Sequence, residues 1–324
     1  MPRVVLSAFP MIDPETYREV LDGAVDEPVE VEVAELGSTE SLVAAAEGAD
    51  AVVTDIDTPV TAEALDELDL RVVGRSAVGV DNVDVEAAAE RGVTVTRVPD
   101  YCTEEVAAHS VSLLLACLRS LKSYDDDVAA GGWSWEIGRP VRRVSASTIG
   151  FVSFGPIARR AAEQLGGFDA DLVAYDPFVE AGEMAEYGAE KVSFDELFDR
   201  ADHVGVYAPL TEATRGIVDA DALARLGEDS VVVNVGRGPV VDADALLDAL
   251  ESGTIKGAGL DVLAEEPPED DPLVGRDDTI VTPHAAWYSE EARDDLNRSG
   301  AADVAAVLNG ETPAGRVDPN ADWL

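Results

Sequence analysis

One stretch of the chain holds three residues that together could grip a carboxylate and move a proton: Arg237, Glu266 and His284. Arginine presents a flat, permanently charged fork that matches a carboxylate with two parallel hydrogen bonds. Histidine is the side chain best suited to taking and giving a proton near neutral pH, and a carboxylate beside it orients the ring and favours its charged form. This set is a coherent acid/base constellation for a small acidic substrate.

Each residue sits where a strand runs out. Arg237 lies in S-V-V-V-N-V-G-R-G-P-V-V-D, where the β-branched run from Val231 to Val235 reads as a buried strand ending in Gly236-Arg237-Gly238-Pro239. It is either a solvated turn arginine or a guanidinium displayed at the carboxyl edge of a parallel sheet, where open α/β sheets bind ligands. Glu266 follows a strand over 257–262 and precedes Pro267-Pro268, which denies the chain a helix there. The bland alternative is one acid among many. His284 follows a strand over 279–282 and Pro283, and is one of only three histidines; a buried structural histidine is its competitor.

The elements that must position these residues alternate strand with helix. Strands are predicted at 4–6, 29–33, 51–54 and 70–73, with helices opening at Asp13-Pro14 and lying near 39–47 and 62–67. That is the rhythm of an α/β protein with parallel sheets. Thr103 opens the longest helical pattern, apolar nearly all round and so expected to be buried between lobes, with His109 inside it read as structural. Residues 124–127 and 131–135 are predicted to form a loop whose Trp133 and Trp135 either meet a second subunit or tuck onto their own domain. The segment 148–160 reads as strand, tight turn and helix, and a second strand, 172–175, ends at Asp176, 18 residues past Ala158. A dinucleotide fingerprint wants G-x-G-x-x-G/A followed by such an acid. Here Ser153 stands at the first glycine position, and Pro156 lacks a backbone N–H at the helix start.

V-N-V-G-R-G-P-V-V-D, G-A-G-L-D-V-L-A-E-E-P and T-P-H-A-A-W-Y-S-E resemble the three signatures of the D-isomer-specific 2-hydroxyacid dehydrogenases. The last, with Trp287 and Tyr288, is most similar to the C-terminal-binding protein branch, and the acidity suggests a halophile. The resemblance implies two Rossmann-like lobes: a discontinuous substrate domain of residues 1–99 and 288–324, and a dinucleotide-binding domain of residues 100–287. It implies NAD as cofactor, met by Ser153, Gly155, Pro156, Ile157, Asp176, Pro209 and Asp261. Arg75, the amides near Val78 and Gly79, Tyr101 and Trp287 are the expected substrate contacts. Arg237, Glu266 and His284 become the catalytic set, and a homodimer is expected. Glutamate at 266 argues against the formate-oxidising relatives, which resemble a glutamine–histidine pairing. The rival class is an NAD(H)-sensing corepressor-type binding protein, which the altered fingerprint keeps open.

Composition bounds the partners. The chain has 324 residues, 46% of them hydrophobic, enough for two domains with cores of their own. Its 66 acids against 23 bases give a formal charge of -43, which argues against nucleic acid or anionic membrane as a partner. Such a surface suits a salt-rich cytoplasm. Cys102 and Cys117 outline no disulfide framework, no Cys/His cluster has metal-ligand spacing, and no signal peptide is legible. A cytoplasmic protein acting on a small 2-keto or 2-hydroxy acid is the expectation, with the individual acid left open.

Overall fold

The computed structural model describes residues 1–321 and divides into two compact units. Unit 1 is Met1–Cys102 together with the chain from Ser289 onward, and unit 2 is Thr103–Tyr288. Unit 1 carries five strands, β1 (Arg3–Ser7), β2 (Glu30–Ala34), β3 (Ala51–Thr54), β4 (Val72–Arg75) and β5 (Thr94–Arg97), in the order β2-β1-β3-β4-β5. Every pair is parallel. The central strands read as uninterrupted apolar runs because helices cover both faces, and Val5, Val52 and Val73 meet Leu36, Leu42 and Leu65 in one core.

Unit 2 carries β6 (Thr148–Val152), β7 (Asp171–Tyr175), β8 (Ala189–Lys191), β9 (His203–Val206), β10 (Val231–Asn234), β11 (Gly257–Leu260) and β12 (Thr279–Val281). Their order is β12-β11-β10-β9-β6-β7-β8, again all parallel. The order reverses between β6 and β9, the switch point where doubly wound sheets open a crevice at the carboxyl ends of the strands. Because all seven strands point the same way, Ser153, Asp176, Pro209, Arg237, Asp261 and His284 follow strands on one edge. The long helix Thr103–Leu118 packs on β10 and β11 and against the helix Pro156–Leu165. Its apolar wrap is thereby accounted for within unit 2.

Local signals explain most boundaries. Asp13 caps the helix Pro14–Ala24 by accepting from the Glu15 amide, with proline at the first helical position where a missing N–H costs nothing. Ser289 caps the helix Glu290–Leu308, accepting from the Ala292 amide at 2.9 Å. Strand ends shift by a residue or two, and two departures have identifiable causes. β4 begins at Val72 rather than Leu70 and runs on through Gly74 to Arg75. Gly74 belongs inside the strand because the helix Glu290–Leu308 lies so close that a Cβ there would meet Val304 Cγ2 at 3.3 Å. The stretch 124–127, predicted as loop, lies within a helix, Leu121–Ala129. Asp125 and Asp126 face water, Asp127 accepts from the Ser134 amide at 3.1 Å, and Lys122 pairs with Asp126 one turn on at 3.1 Å, so three successive aspartates do not break it.

Candidate functional site

The carboxyl ends of β10, β11 and β12 bring the first three residues into one neighbourhood of unit 2. After β10 the chain turns at Val235-Gly236, and the turn is stapled by Asn234, which is 1% exposed. Its side-chain oxygen accepts from the Gly236 amide at 3.0 Å and its side-chain nitrogen donates to the Arg237 carbonyl at 3.0 Å. Glycine is required on both sides of Arg237. A Cβ on Gly236 would meet the Ala208 carbonyl oxygen at 2.7 Å, and one on Gly238 would strike the Leu263 carbonyl. The arginine is therefore fixed where two neighbouring loops pass, half-buried, with Nη1 donating to the Gly236 carbonyl at 2.9 Å.

His284 follows β12 with a backbone φ of +50°, a left-handed conformation that few non-glycine residues adopt. Its Nδ1 lies 2.7 Å from Glu266 Oε2, both side chains about one-third exposed. The other oxygen, Glu266 Oε1, accepts from the Leu263 amide at 2.9 Å. Burial raises the Glu266 carboxyl, but the hydrogen bond and charge of His284, the Leu263 amide and the charge of Arg237 outweigh it and hold the group below the ordinary glutamate value. An ionised carboxylate only accepts, so Nδ1 carries the hydrogen of this bond and Nε2 is the nitrogen left to exchange a proton with a substrate. The arrangement can deliver a proton beside a fixed positive charge.

Asp261, directly after β11, is 2% exposed. Its Oδ1 accepts from Thr282 Oγ1 at 2.6 Å and from the Ala285 amide at 2.9 Å, its Oδ2 from the Ala286 amide at 3.0 Å, and its carbonyl from the His284 amide at 2.9 Å. His109 Nε2 stands 3.0 Å from Thr282 Oγ1 and 3.6 Å from Asp261 Oδ1. Sequence reasoning left His109 as structural and passed over Thr282 and Asn234. The available signals were a hydroxyl two residues before His284 and an amide three residues before Arg237.

The strand–turn–helix of β6 retains the fingerprint backbone despite its substitutions. Ser153 adopts φ +71°, the conformation for which glycine is used, and Gly155 precedes the ten-residue helix Pro156–Leu165. Pro156 donates nothing, while the first-turn amide of Ile157 has no intrahelical acceptor and points out of the helix end. Asp176, buried at the tip of β7, turns back onto this turn. It accepts from the Phe154 amide at 2.8 Å, from Ser153 Oγ at 3.1 Å and, on its other oxygen, from the Phe178 amide at 2.9 Å. A dinucleotide fits this edge: the helix end and the Ile157 amide suit its pyrophosphate, and the outer lone pairs of Asp176 suit its ribose hydroxyls. Pro209, after β9, is exposed on the same edge.

Of the residues expected to meet substrate, Trp287 belongs to unit 2, half-buried and edge-on to Tyr288 with centroids 5.4 Å apart. Arg75, Val78, Gly79 and Tyr101 belong to unit 1. Arg75 is only 4% exposed, with Nε donating to Asn82 Oδ1 at 2.7 Å. The Val78 carbonyl accepts from Arg97 Nη1 at 3.1 Å. Among the described residues no group of three or more His, Cys, Asp and Glu is arranged to hold a metal, and no helix is long and apolar enough to cross a membrane.

Residues 111–286 match the family model for the D-isomer specific 2-hydroxyacid dehydrogenase NAD binding domain. The chain is 38% identical over 289 residues to D-3-phosphoglycerate dehydrogenase of Mycobacterium leprae, covering 89% of this chain and 54% of that protein. It thus spans about half the length of the curated phosphoglycerate dehydrogenases it matches. It is 36% identical over 277 residues to glyoxylate reductase of Korarchaeum cryptofilum, covering 83% and 82% of the two chains. Among solved structures, the apo form of D-lactate dehydrogenase from Escherichia coli superposes with a TM-score of 0.82 at 25% identity, over 98% of this chain and 100% of that one.

Proposed function

Because this chain belongs to the D-isomer specific 2-hydroxyacid dehydrogenase family and carries its NAD-binding domain, we propose that it interconverts a 2-keto acid and a D-2-hydroxy acid. Bound NADH supplies the hydride in reduction, and NAD takes it back in oxidation. His284 gives the carbonyl oxygen its proton from Nε2, held in register by Glu266 on Nδ1 at 2.7 Å. That pairing is the observation that carries the proposal. Arg237 grips the substrate carboxylate and polarises the adjoining carbonyl, in the two-pronged manner a lysine could not reproduce. Unit 1 serves as the substrate lobe, contributing the Val78 and Gly79 amides with Arg75 and Tyr101, and unit 2 holds the dinucleotide. Trp287 walls the side-chain pocket, which favours apolar 2-keto acids over glyoxylate.

The T-P-H-A-A-W-Y-S-E stretch supports placing the chain near the C-terminal-binding protein branch, and its charge supports a halophilic origin. The complete Arg237, Glu266 and His284 set favours turnover over a purely NAD(H)-sensing role. The test is oxidation of NADH by the purified protein at high KCl against a panel of 2-keto acids. At least one apolar keto acid should be reduced, and His284→Ala should lower kcat by about 10²–10⁴-fold, the usual worth of general acid catalysis. NAD binding without turnover of any keto acid would instead support the sensing role.

A further inference from the structure

Asp261 is deeply buried, and a buried carboxylate is tolerated only where donors surround it. Its donors have a common address. Thr282 Oγ1 and the Ala285 and Ala286 amides meet its carboxylate, while the His284 amide meets its carbonyl. The residues on both sides of His284 therefore hang from this one residue, and His284 between them holds the sparsely populated φ of +50°.

The protons along the outer arm can be assigned. A threonine hydroxyl has one hydrogen, and the 2.6 Å contact with Asp261 Oδ1, an oxygen already accepting the Ala285 amide, requires that hydrogen between them. His109 Nε2, 3.0 Å from the same hydroxyl, must then be the donor. The chain runs from His109 Nε2–H to Thr282 Oγ1–H to Asp261, crossing from the helix Thr103–Leu118 to the loop after β12. Thr282 is not set up as a nucleophile here, because its hydroxyl is engaged on both sides.

We propose that His109 and Thr282 are positioning residues, which act through Asp261 to hold His284 in its left-handed conformation and so aim Nε2 at the substrate. The proposal rests on the acid/base role of His284 given above. It also makes Asp261 an organiser of the proton donor besides the cofactor contact implied by family resemblance.

Thr282→Val keeps the shape and removes the hydroxyl. Its kcat for keto-acid reduction should fall about 10- to 100-fold, the range that a lost hydrogen bond to a charged group reaches, while the Kd for NADH measured by fluorescence stays near wild type. Thr282→Ser should restore kcat. His109→Leu should lower kcat in the same way, and His109→Gln, which keeps an N–H donor, should recover much of it. A readout independent of turnover is available because the chain has only three histidines. An exchange-protected ring Nε2–H resonance assigned to His109 should be present in the wild type and absent from Thr282→Val.

Unchanged kcat in folded Thr282→Val would overturn the proposal, as would equal losses in Thr282→Ser, or no protected His109 resonance. If Thr282→Val fails to fold, the contrast between His109→Leu and His109→Gln decides, and equal kcat in those two would overturn it. A wild type that reduces no keto acid would remove the functional reading, and the His109 resonance would still judge the hydrogen-bonded chain.

Discussion

A carboxylate 2.7 Å from one imidazole nitrogen fixes which nitrogen is free to act, and it places a negative charge beside the ring. Glu266 is held below the ordinary glutamate value, so its negative charge persists beside His284 down into the acidic range. Glu266→Gln preserves the hydrogen-bonding shape without the charge, so the bond to His284 is no longer charge-assisted. The kcat for keto-acid reduction at fixed pH should then fall about 10-fold, with the Kd for NADH unchanged. An unchanged kcat would break the proposed pairing. At the cofactor edge, Ser153 holds φ +71° and donates to Asp176. Ser153→Gly relieves the backbone and frees one lone pair of Asp176 for a ribose hydroxyl, so titration should show tighter NAD binding, with NAD still preferred over NADP because the carboxylate repels a 2′-phosphate. Weaker binding would mean that the serine hydroxyl itself contacts the dinucleotide. These residues were legible in the sequence because each follows a strand of β-branched residues or glycines. The link among His109, Asp261 and Thr282 was not, since it joins positions far apart along the chain whose individual settings look ordinary.

At the level of elements, β9 and β10 hold a second titrating feature. His203 opens β9, is 2% exposed, and accepts from the Val231 amide through Nδ1 at 3.3 Å. Burial lowers its pKa to about 4, with Lys256 acting in the same direction and Asp202 and Asp229 opposing. The folded protein therefore holds this ring neutral at a pH where the unfolded chain, with a value of about 6.5, binds a proton. Stability from this site is complete above pH about 6.5, declines as pH falls, and is lost by pH about 4, where the folded-state ring takes up its proton. The change is about 3 kcal/mol across that window. His203→Asn leaves an oxygen near the place of Nδ1 to accept the Val231 amide but cannot titrate. Chemical denaturation between pH 7 and 4 should therefore give a shallower loss for His203→Asn than for the wild type; parallel losses would show that other groups govern the acid response. The parallel sheets of both units followed from the alternating pattern, while β4 and the helix Leu121–Ala129 were misplaced for different reasons. Gly74 looks like a loop residue unless one knows that a helix 230 residues later packs against it, as the Val304 contact shows. The acid run at 125–127 looks like a loop only while its solvent-facing side is unknown.

The surface of the whole molecule is unusual in two ways that act together. Trp133 is 89% and Trp135 70% exposed, with Leu121, Val128 and Ile137 also exposed in the same segment. So much aromatic surface is costly in water, and we expect a second copy of the chain to cover it. Sedimentation velocity should find a dimer that Trp133→Ser with Trp135→Ser dissociates; a monomer in the unaltered protein would leave the patch to another occupant. The second feature is charge. Several of the 23 bases are committed to exposed pairs, such as Arg200 with Glu190 and Glu196, and Arg160 with Glu104 and Glu163. Each such pair is worth only about 0–1 kcal/mol, and salt weakens it. Set against them is a formal excess of 43 acids, whose mutual repulsion opposes both the compact fold and the meeting of two such chains. Repulsion should win, so adding salt should stabilise. Between 0.1 M and 1 M the Debye length shrinks from about 10 Å to about 3 Å, so most of the repulsion between unpaired surface charges is already screened at 1 M and further salt adds little. The melting temperature should therefore climb steeply up to about 1 M KCl and more gently towards 3 M. The dimer fraction at fixed protein concentration should rise over the same interval. A flat or falling melting curve would mean that the local ion pairs outweigh the global repulsion, and the halophilic reading of this chain would fall with it.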